Sequence, residues 1–448
     1  MIPTINFGLS GYIPDVLYIS YIIVVLLSIF WKPVAGIYYL APLLPAQTTR
    51  DRLADYPLGG SVVTVVLLAV AIGLLRRGEP LFPKSRLRGV TLFYIALTFV
   101  SLLLGTLFLT HDIFPDWADS RFIDWRNYAT MFMLVFLTAA AVKTTKEMKI
   151  LLVIICFGVL MFNRSFYNEI SGQDFSSFHE DERNESGSGY AGVNGFAAFE
   201  AQTAAFLIGL SGFLEKRKHR WTALALAGTS LYCTMFSFSR AGYISVGVAL
   251  LFLGIVKYRK LLALMAVFAA TWTTIVPGAV YERVTMTTNN PGGELDHSSE
   301  TRVNLWEEAF DEVKQNPVLG LGFNTYAYIP HLSGYRDSHN IYVKFLVETG
   351  YVGIAIFLAL LFKYFNCGLQ LFRKAQNPFH AGLGLGLAGW VVAAMVGNMF
   401  GDRFTYTQVA GYMFVFAGMV LRAWQMELEP PAELEDEAES DELVAQLA

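Results

Sequence analysis

Apolar runs recur along this chain at close to the roughly 20 residues that a helix needs to cross a bilayer, and short polar clusters separate them. They fall near 15–31, 34–45, 58–75, 89–110, 127–142, 149–163, 194–213, 221–238, 241–257, 261–277, 341–364, 381–399 and 408–424. The first two are divided by Lys32 and Pro33, so 12 or 13 spans are expected, depending on whether that pair is one broken element or two helices. Composition agrees. Of 448 residues, 54% are hydrophobic and 16% charged, against about a quarter charged in soluble domains. The runs lack the ten-residue alternation of a membrane barrel, and helices satisfy their own backbone hydrogen bonds in lipid, so the expected class is an all-α integral membrane protein. No soluble domain remains outside the runs.

The amino-terminal stretch MIPTINFGLSGYIPD carries no basic n-region and no small-residue cleavage pattern, so the first span reads as a retained anchor. Cys156, Cys233 and Cys367 lie in or beside apolar segments without CxxC spacing, which predicts buried thiols and neither disulfide nor metal site. Nine of the 37 carboxylates fall in residues 425–448, which hold no Lys or Arg, so the rest of the chain carries 33 basic groups against 28 acidic ones. Residues 1–424 therefore read as one polytopic membrane domain and 425–448 as an acidic, disordered cytoplasmic tail.

Orientation follows from the basic loops at 76–88, 143–149, 216–220, 257–260 and 373–374, which the positive-inside rule assigns to the cytoplasm. The opposite face then receives 46–57, 111–126, 164–193, the short turn at Arg240, one large loop at 277–340, and 400–407. Its cations are almost all arginine, including Arg50, Arg121, Arg126, Arg183, Arg240, Arg283, Arg302 and Arg403. Arginine offers a planar fork suited to phosphate, and here it gathers where topology disfavours positive charge. Some of these residues are expected to pair with nearby carboxylates and a few to hold an anion.

Three segments carry the candidate chemistry. Phe236-Ser237-Phe238-Ser239-Arg240-Ala241-Gly242 joins two apolar runs with almost no loop, which keeps Arg240 at the membrane surface as either a helix-end anchor or an anion ligand. Residues 298–317 place Val303, Trp306, Phe310 and Val313 at helical spacing before Pro317, predicting an amphipathic helix on the outer surface. Ser298 or Ser299 would cap it and Arg302 would occupy its first turn, facing Glu300, Asp296 or an anion. The glycines of Asn316-Pro317-Val318-Leu319-Gly320-Leu321-Gly322-Phe323-Asn324-Thr325-Tyr326 then allow a tight return to the membrane, a scaffolding role. Asp337-Ser338-His339-Asn340-Ile341-Tyr342 is the third segment, where the loop re-enters the bilayer, followed by Lys344, Glu348 and Gly350. An isolated charge in a membrane helix costs about 3 kcal/mol on insertion scales, so Lys344 and Glu348, four residues apart, are expected to pair.

Taken in order, SRAG at a helix junction, an R-x-x-x-W helix, NPVLGLGFNTY and SHNIYVKFLVETGYVG resemble the O-antigen ligase and polymerase superfamily. These motifs span about a quarter of the chain, and the remainder agrees in hydropathy and helix number. The resemblance implies a GT-C-like membrane fold in the bacterial inner membrane with its active site on the periplasmic face. It also implies a glycan donor on undecaprenyl diphosphate, an acceptor such as lipid A-core, and an inverting transfer needing no metal or other cofactor. Arg240 and Arg302 match the family's diphosphate-binding arginines and His339 its essential histidine. Arg126 and Arg403 lie on the same face without a motif to match, and with Asn340 and Glu348 they complete the expected substrate-binding set. The chemistry is consistent with these roles. A sugar hydroxyl attacking an anomeric carbon needs a proton acceptor, and an imidazole titrates near pH 6.5. Two guanidinium groups can stabilise the departing diphosphate, and no Asp-x-Asp pair on the outer face argues for a divalent ion.

A polymerase that extends a lipid-linked glycan shares all of these features. A transporter or flippase would concentrate ionisable groups near the midplane in repeated halves, whereas here they collect at helix ends without an internal repeat. No G-x-x-x-x-G-K-[ST] loop for ATP-driven transport occurs.

Overall fold

The computed structural model describes residues 12–180, 183, 192–286, 297–329 and 338–428. The expected acidic tail from residue 429 on, and residues 287–296 and 330–337 of the expected large loop, lie outside the described residues. Among the described residues there is no strand. The helices are α1 (Ile13–Phe30), α2 (Val34–Leu43), α3 (Gln47–Asp51), α4 (Val62–Leu75), α5 (Arg88–Thr110), α6 (Ser120–Ala141), α7 (Thr145–Ile170) and α8 (Val193–Ser211). They continue as α9 (Arg217–Phe236), α10 (Arg240–Val256), α11 (Arg259–Ile275), α12 (Gly278–Thr285), α13 (His297–Gln315), α14 (Ile341–Lys374), α15 (Pro378–Gly397) and α16 (Thr407–Leu428).

Each of the thirteen apolar runs coincides with one helix, and the first two are separate helices broken at Trp31–Pro33. Among the described residues, seven helices are both long and apolar enough to cross a bilayer, or eight if α11 and α12, bent by 108° at their junction, act as one span. The difference from 12 or 13 has local causes. The apolar helices Val34–Leu43, Gly59–Leu75 and Arg240–Val256 are short, and α6 and α9 carry charge in their first two turns, at Arg121 and Asp124 and at Arg217, Lys218 and Arg220. This is a multi-pass membrane protein.

Local sequence sets several helix starts. A capping box opens α7, with Glu147 N–H donating to Thr144 Oγ1 (3.2 Å) and Thr144 N–H to Glu147 Oε2 (3.2 Å). Asn377 caps α15 by accepting from Phe379 N–H at 2.9 Å, with Pro378 in the first turn. Helices α8, α15 and α16 form the centre, each with 83% of its apolar window buried, whereas α1 has 11% and lies at the periphery. Small residues let α8 and α15 approach closely: a Cβ added at Gly209 would lie 3.0 Å from Gly386 Cα. Polar side chains tie α7, α8 and α9 together. With its amide turned to donate, Asn163 reaches Glu200 Oε1 at 2.9 Å and accepts from the Thr229 and Ser230 hydroxyls. Cys233 and Cys367 are buried and Cys156 half-buried, all as free thiols.

The connections sort into two ends. At one, the basic loops converge: Lys143 pairs with Glu79 (2.6 Å), Lys149 with Glu215 (3.8 Å), and Arg422 Nη2 donates to the Lys143 carbonyl (3.2 Å). His380, at the same end, lies between Glu427 Oε1 (2.6 Å) and Thr145 Oγ1 (2.9 Å). The other end gathers the segments that hold most of the arginines.

The feature that most shapes that second end is a break inside α14. Gly350 adopts φ 63° and ψ −168°, which interrupts the helix and exposes backbone groups in an apolar setting. Residues 317–322 fill the break. Leu321 N–H donates to the Val347 carbonyl (2.9 Å), Gly322 N–H to the Glu348 carbonyl (2.8 Å), and Tyr351 N–H to the Pro317 carbonyl (2.8 Å). Phe323 N–H then donates to the Ser101 carbonyl on α5 at 3.0 Å. The glycine-rich segment is thus the hydrogen-bonding complement of a discontinuous helix.

Candidate active site at the arginine-bearing end

Three short segments build the site, and each contains a non-glycine residue in the left-handed region: Phe238 (φ 53°), Asn324 (φ 58°) and His339 (φ 51°). Such residues cost about 1–3 kcal/mol unless the surroundings impose the conformation, and they cluster at functional positions. Among the described residues only Leu58 and His111 share it.

His339 is held from both sides. Ser338 Oγ donates to the Asn340 carbonyl (2.8 Å), and Asn340 caps α14, its Oδ1 accepting from Tyr342 N–H (2.9 Å) and Val343 N–H (3.4 Å). Ser338 and Asn340 are buried, while His339 between them is half-buried. The Asn340 side-chain oxygen therefore serves the helix start.

The amphipathic helix forms over His297–Gln315 and packs on the start of α14. Its buried face is Leu305, Ala309 and Val313, with Trp306 alongside, whereas Val303 and Phe310 stay exposed at 38% and 46%. The expected apolar stripe is thus rotated toward α14. The helix also begins earlier than expected: Ser298 and Ser299 fall inside its first turn and not at its cap, and Arg302 falls in the second turn. Side chains of 297–299, Asp296 and Asp337 lie outside the described residues. Trp306 Nε1 donates to the Ser338 carbonyl at 2.9 Å, which joins the helix that bears Arg302 to the residue before His339.

Arg240 is the first residue of α10, behind Ser239, whose Oγ accepts from Gly242 N–H (3.4 Å) and meets Asn194 Oδ1 (2.7 Å). Two further arginines gather at this junction. Arg183 Nη2 donates to the same Asn194 oxygen (3.1 Å) and Arg183 Nη1 lies 3.7 Å from Glu180. Burial lowers the Arg183 guanidinium pKa, with Arg240 lowering it further and Glu180 opposing both. Buried Arg283 donates from Nε to the Phe238 carbonyl (3.2 Å) and stands 4.8 Å from the Phe178 ring. The arginine bias of this face contained the signal for Arg183 and Arg283, but no motif distinguishes them from their neighbours.

Lys344 and Glu348 do not form the expected pair. Lys344 Nζ pairs with Asp402 Oδ2 at 2.8 Å, beside Arg403, because the turn after α15 brings a carboxylate from 58 residues downstream against α14. Glu348 is fully buried, with Oε1 accepting from Tyr326 N–H (3.3 Å) and Oε2 lacking a hydrogen-bond partner among the described residues. It is part of the seam between α14 and the glycine segment. Arg403 is 8% exposed, with its backbone N–H on Asn398 Oδ1 (2.9 Å). Arg126 lies across the bundle end on α6, donating to Asn127 Oδ1 (3.3 Å).

The structure therefore joins Arg302 to the His339 junction through Trp306, and Arg403 to the head of α14 through Asp402 and Lys344. Arg240 sits with Arg183 and Arg283 beyond the end of α15, whose Gly397 abuts Ser245 on α10 and whose Met395 carbonyl accepts from Tyr342 Oη (2.8 Å). Between α3, α6 and α16 lies a cavity of about 620 Å³, with Lys344 and Asn324 in its wall. Among the described residues, no three His, Cys, Asp or Glu side chains gather closely enough to hold a metal ion.

No curated protein gives a significant match to this chain. Residues 223–358 match the family model described as O-antigen ligase, a stretch that runs from α9 through Arg240, the whole of α13, the glycine segment and His339 to beyond the α14 break. On that match and the order of its motifs, the chain carries over residues 223–358 the domain of the O-antigen ligase superfamily.

Proposed function

We propose that this protein transfers a glycan from undecaprenyl diphosphate to an acceptor hydroxyl at the periplasmic face of the inner membrane, the acceptor being lipid A-core or a comparable glycan. His339 removes the acceptor proton as the hydroxyl oxygen attacks the anomeric carbon from the side opposite the diphosphate, which inverts the configuration. The anomeric C–O bond breaks and the diphosphate leaves with the electron pair, its charge met by Arg240 and Arg302. Arg126, Arg403 and the Asn340 amide orient the sugars. Glu348 supports the site by bonding the glycine segment, and the reaction as drawn uses no metal.

The observation that carries this reading is the Trp306–Ser338 hydrogen bond, because it fastens the arginine-bearing helix to the histidine junction within the region of the family match. A polymerase using the same donor would need the same groups. Analysis of surface glycans in a deletion strain separates the two: loss of capped lipid A-core, with long chains retained on undecaprenyl diphosphate, is the ligase result, and short unpolymerised units are the polymerase result. Unaltered glycans would reject both. The sidedness is tested in a cysteine-free background. Cysteine placed at exposed Gln315 should react with an impermeant thiol reagent in intact spheroplasts, and cysteine at Lys218 only after lysis; the reverse pattern would overturn the orientation.

A further inference from the structure

We propose that the 620 Å³ cavity beside the His339 junction is a binding subsite for the neutral sugar rings of a glycan, an inference that rests on the glycosyl-transfer reading and names where the carbohydrate lies. None of His339, Arg302 or Arg240 lines this cavity, so it is separate from the groups that act on the reacting bond. Its volume falls within the roughly 300–1,000 Å³ of small-molecule sites.

The wall chemistry selects the ligand. Carboxylates at Asp51 and Asp124, amides at Asn127 and Gln408, and hydroxyls at Thr405 and Thr407 supply acceptors and donors together, as a polyol requires. Tyr128 and Phe323, stacked with ring centroids 5.6 Å apart and almost fully buried, back the wall, so the polar side chains supply its accessible surface. The cations of the wall are already engaged. Arg50 donates to the Leu43 and Leu44 carbonyls and to Gln47 Oε1, fastening the end of α2, and Lys344 pairs with Asp402. With two carboxylates facing them, the described residues of the wall hold no excess of positive charge to favour a phosphate. The diphosphate belongs with Arg240 and Arg302, and uncharged sugar rings of the glycan extend here. Position agrees with composition. Asn324, held in the left-handed region, donates from Nδ2 to Asp124 Oδ2 at 2.8 Å, so the glycine segment that completes α14 also shapes the cavity wall.

Donor glycan and acceptor glycan share this chemistry, and kinetics distinguish them. Asn127→Ala on α6 and Gln408→Ala on α16 remove hydrogen-bonding groups from two different walls. Purified wild type and both variants would be assayed for transfer with donor and acceptor varied separately. The same proteins would be examined by saturation-transfer NMR with oligosaccharide released by mild acid from lipopolysaccharide. The expected result is a rise in KM of about tenfold, the size of one lost hydrogen bond at a strong site, with kcat changed less than twofold and saturation transfer weakened. A rise confined to the acceptor assigns the cavity to the acceptor, and one confined to the donor assigns it to the donor glycan. Unchanged KM values for both substrates, with undiminished saturation transfer in both variants, would overturn the proposal while leaving the transfer reaction intact. Should wild type transfer nothing, the proposed function fails. The NMR comparison then decides the cavity alone: saturation transfer in wild type that the variants lose supports the sugar site, and its absence from wild type rejects it.

Discussion

The Trp306 indole N–H donates to the Ser338 carbonyl over 2.9 Å, linking two residues 32 apart in sequence at the step before the candidate base. Four residues earlier on the same helix is Arg302, so this contact holds the helix that bears Arg302 against the segment that bears His339. Trp306→Phe keeps most of the apolar packing and removes only the donor. It is expected to lower kcat about tenfold, the equivalent of roughly 1.4 kcal/mol, while thermal unfolding in detergent stays close to wild type. Equal loss of stability and activity would make the contact merely structural.

The break in α14 yields a stability prediction. At Gly350 the backbone has φ 63°, and an added Cβ would lie 2.3 Å from the Val318 carbonyl oxygen. Strain and clash together should cost at least about 1–3 kcal/mol, so Gly350→Ala is expected to unfold at clearly lower temperature. Gly228→Ala on α9 is the control, since nothing lies within 4 Å of a Cβ there, and alanine in a helix is favoured by about 1 kcal/mol. A Gly350→Ala protein as stable as Gly228→Ala would refute the docking of residues 317–322 into the break.

How much of this was legible in sequence depends on the range of each interaction. Helix positions followed from hydropathy because membrane insertion acts residue by residue along one segment. The His339 junction and the SRAG turn were legible because polar residues interrupt apolar runs there. The partner of Lys344 was not: Glu348 is the neighbour along the helix, but the bilayer end folds Asp402 against it. Glu200 passed unnoticed as one acid within a long apolar run, and only the approach of Asn163 from α7 and Ser230 from α9 gives it partners among the described residues. The α14 break was hidden for a related reason. A glycine in a membrane helix is unremarkable until a distant segment supplies its missing hydrogen bonds.

A pH-dependent effect is expected where α6 begins. Asp119 pairs with buried Arg121 at 2.5 Å, and Arg121 Nη1 also donates to the Gly105 carbonyl at 3.2 Å. The side-chain hydrogen bond from Arg121 holds the Asp119 carboxyl below its ordinary value, with burial opposing and the Arg121 backbone N–H assisting. A depressed folded-state pKa means that the pair stabilises fully above the unfolded carboxylate value near 4 and is lost as pH falls through the lower folded value. Asp119→Asn should therefore be less stable than wild type at pH 7, and the difference should shrink as pH falls below about 4. A difference independent of pH would exclude the ion pair as its source.

The central claim is that His339 takes the proton from the acceptor hydroxyl. Its most direct test compares purified wild type with His339→Ala in transfer from undecaprenyl diphosphate glycan, alongside donor-lipid binding and thermal unfolding. Loss of a positioned base should lower turnover about 100-fold to 10,000-fold, with donor binding within a few-fold of wild type and the folded protein retained. Near-normal transfer by His339→Ala would contradict the account and move the base to another residue of the arginine-bearing end.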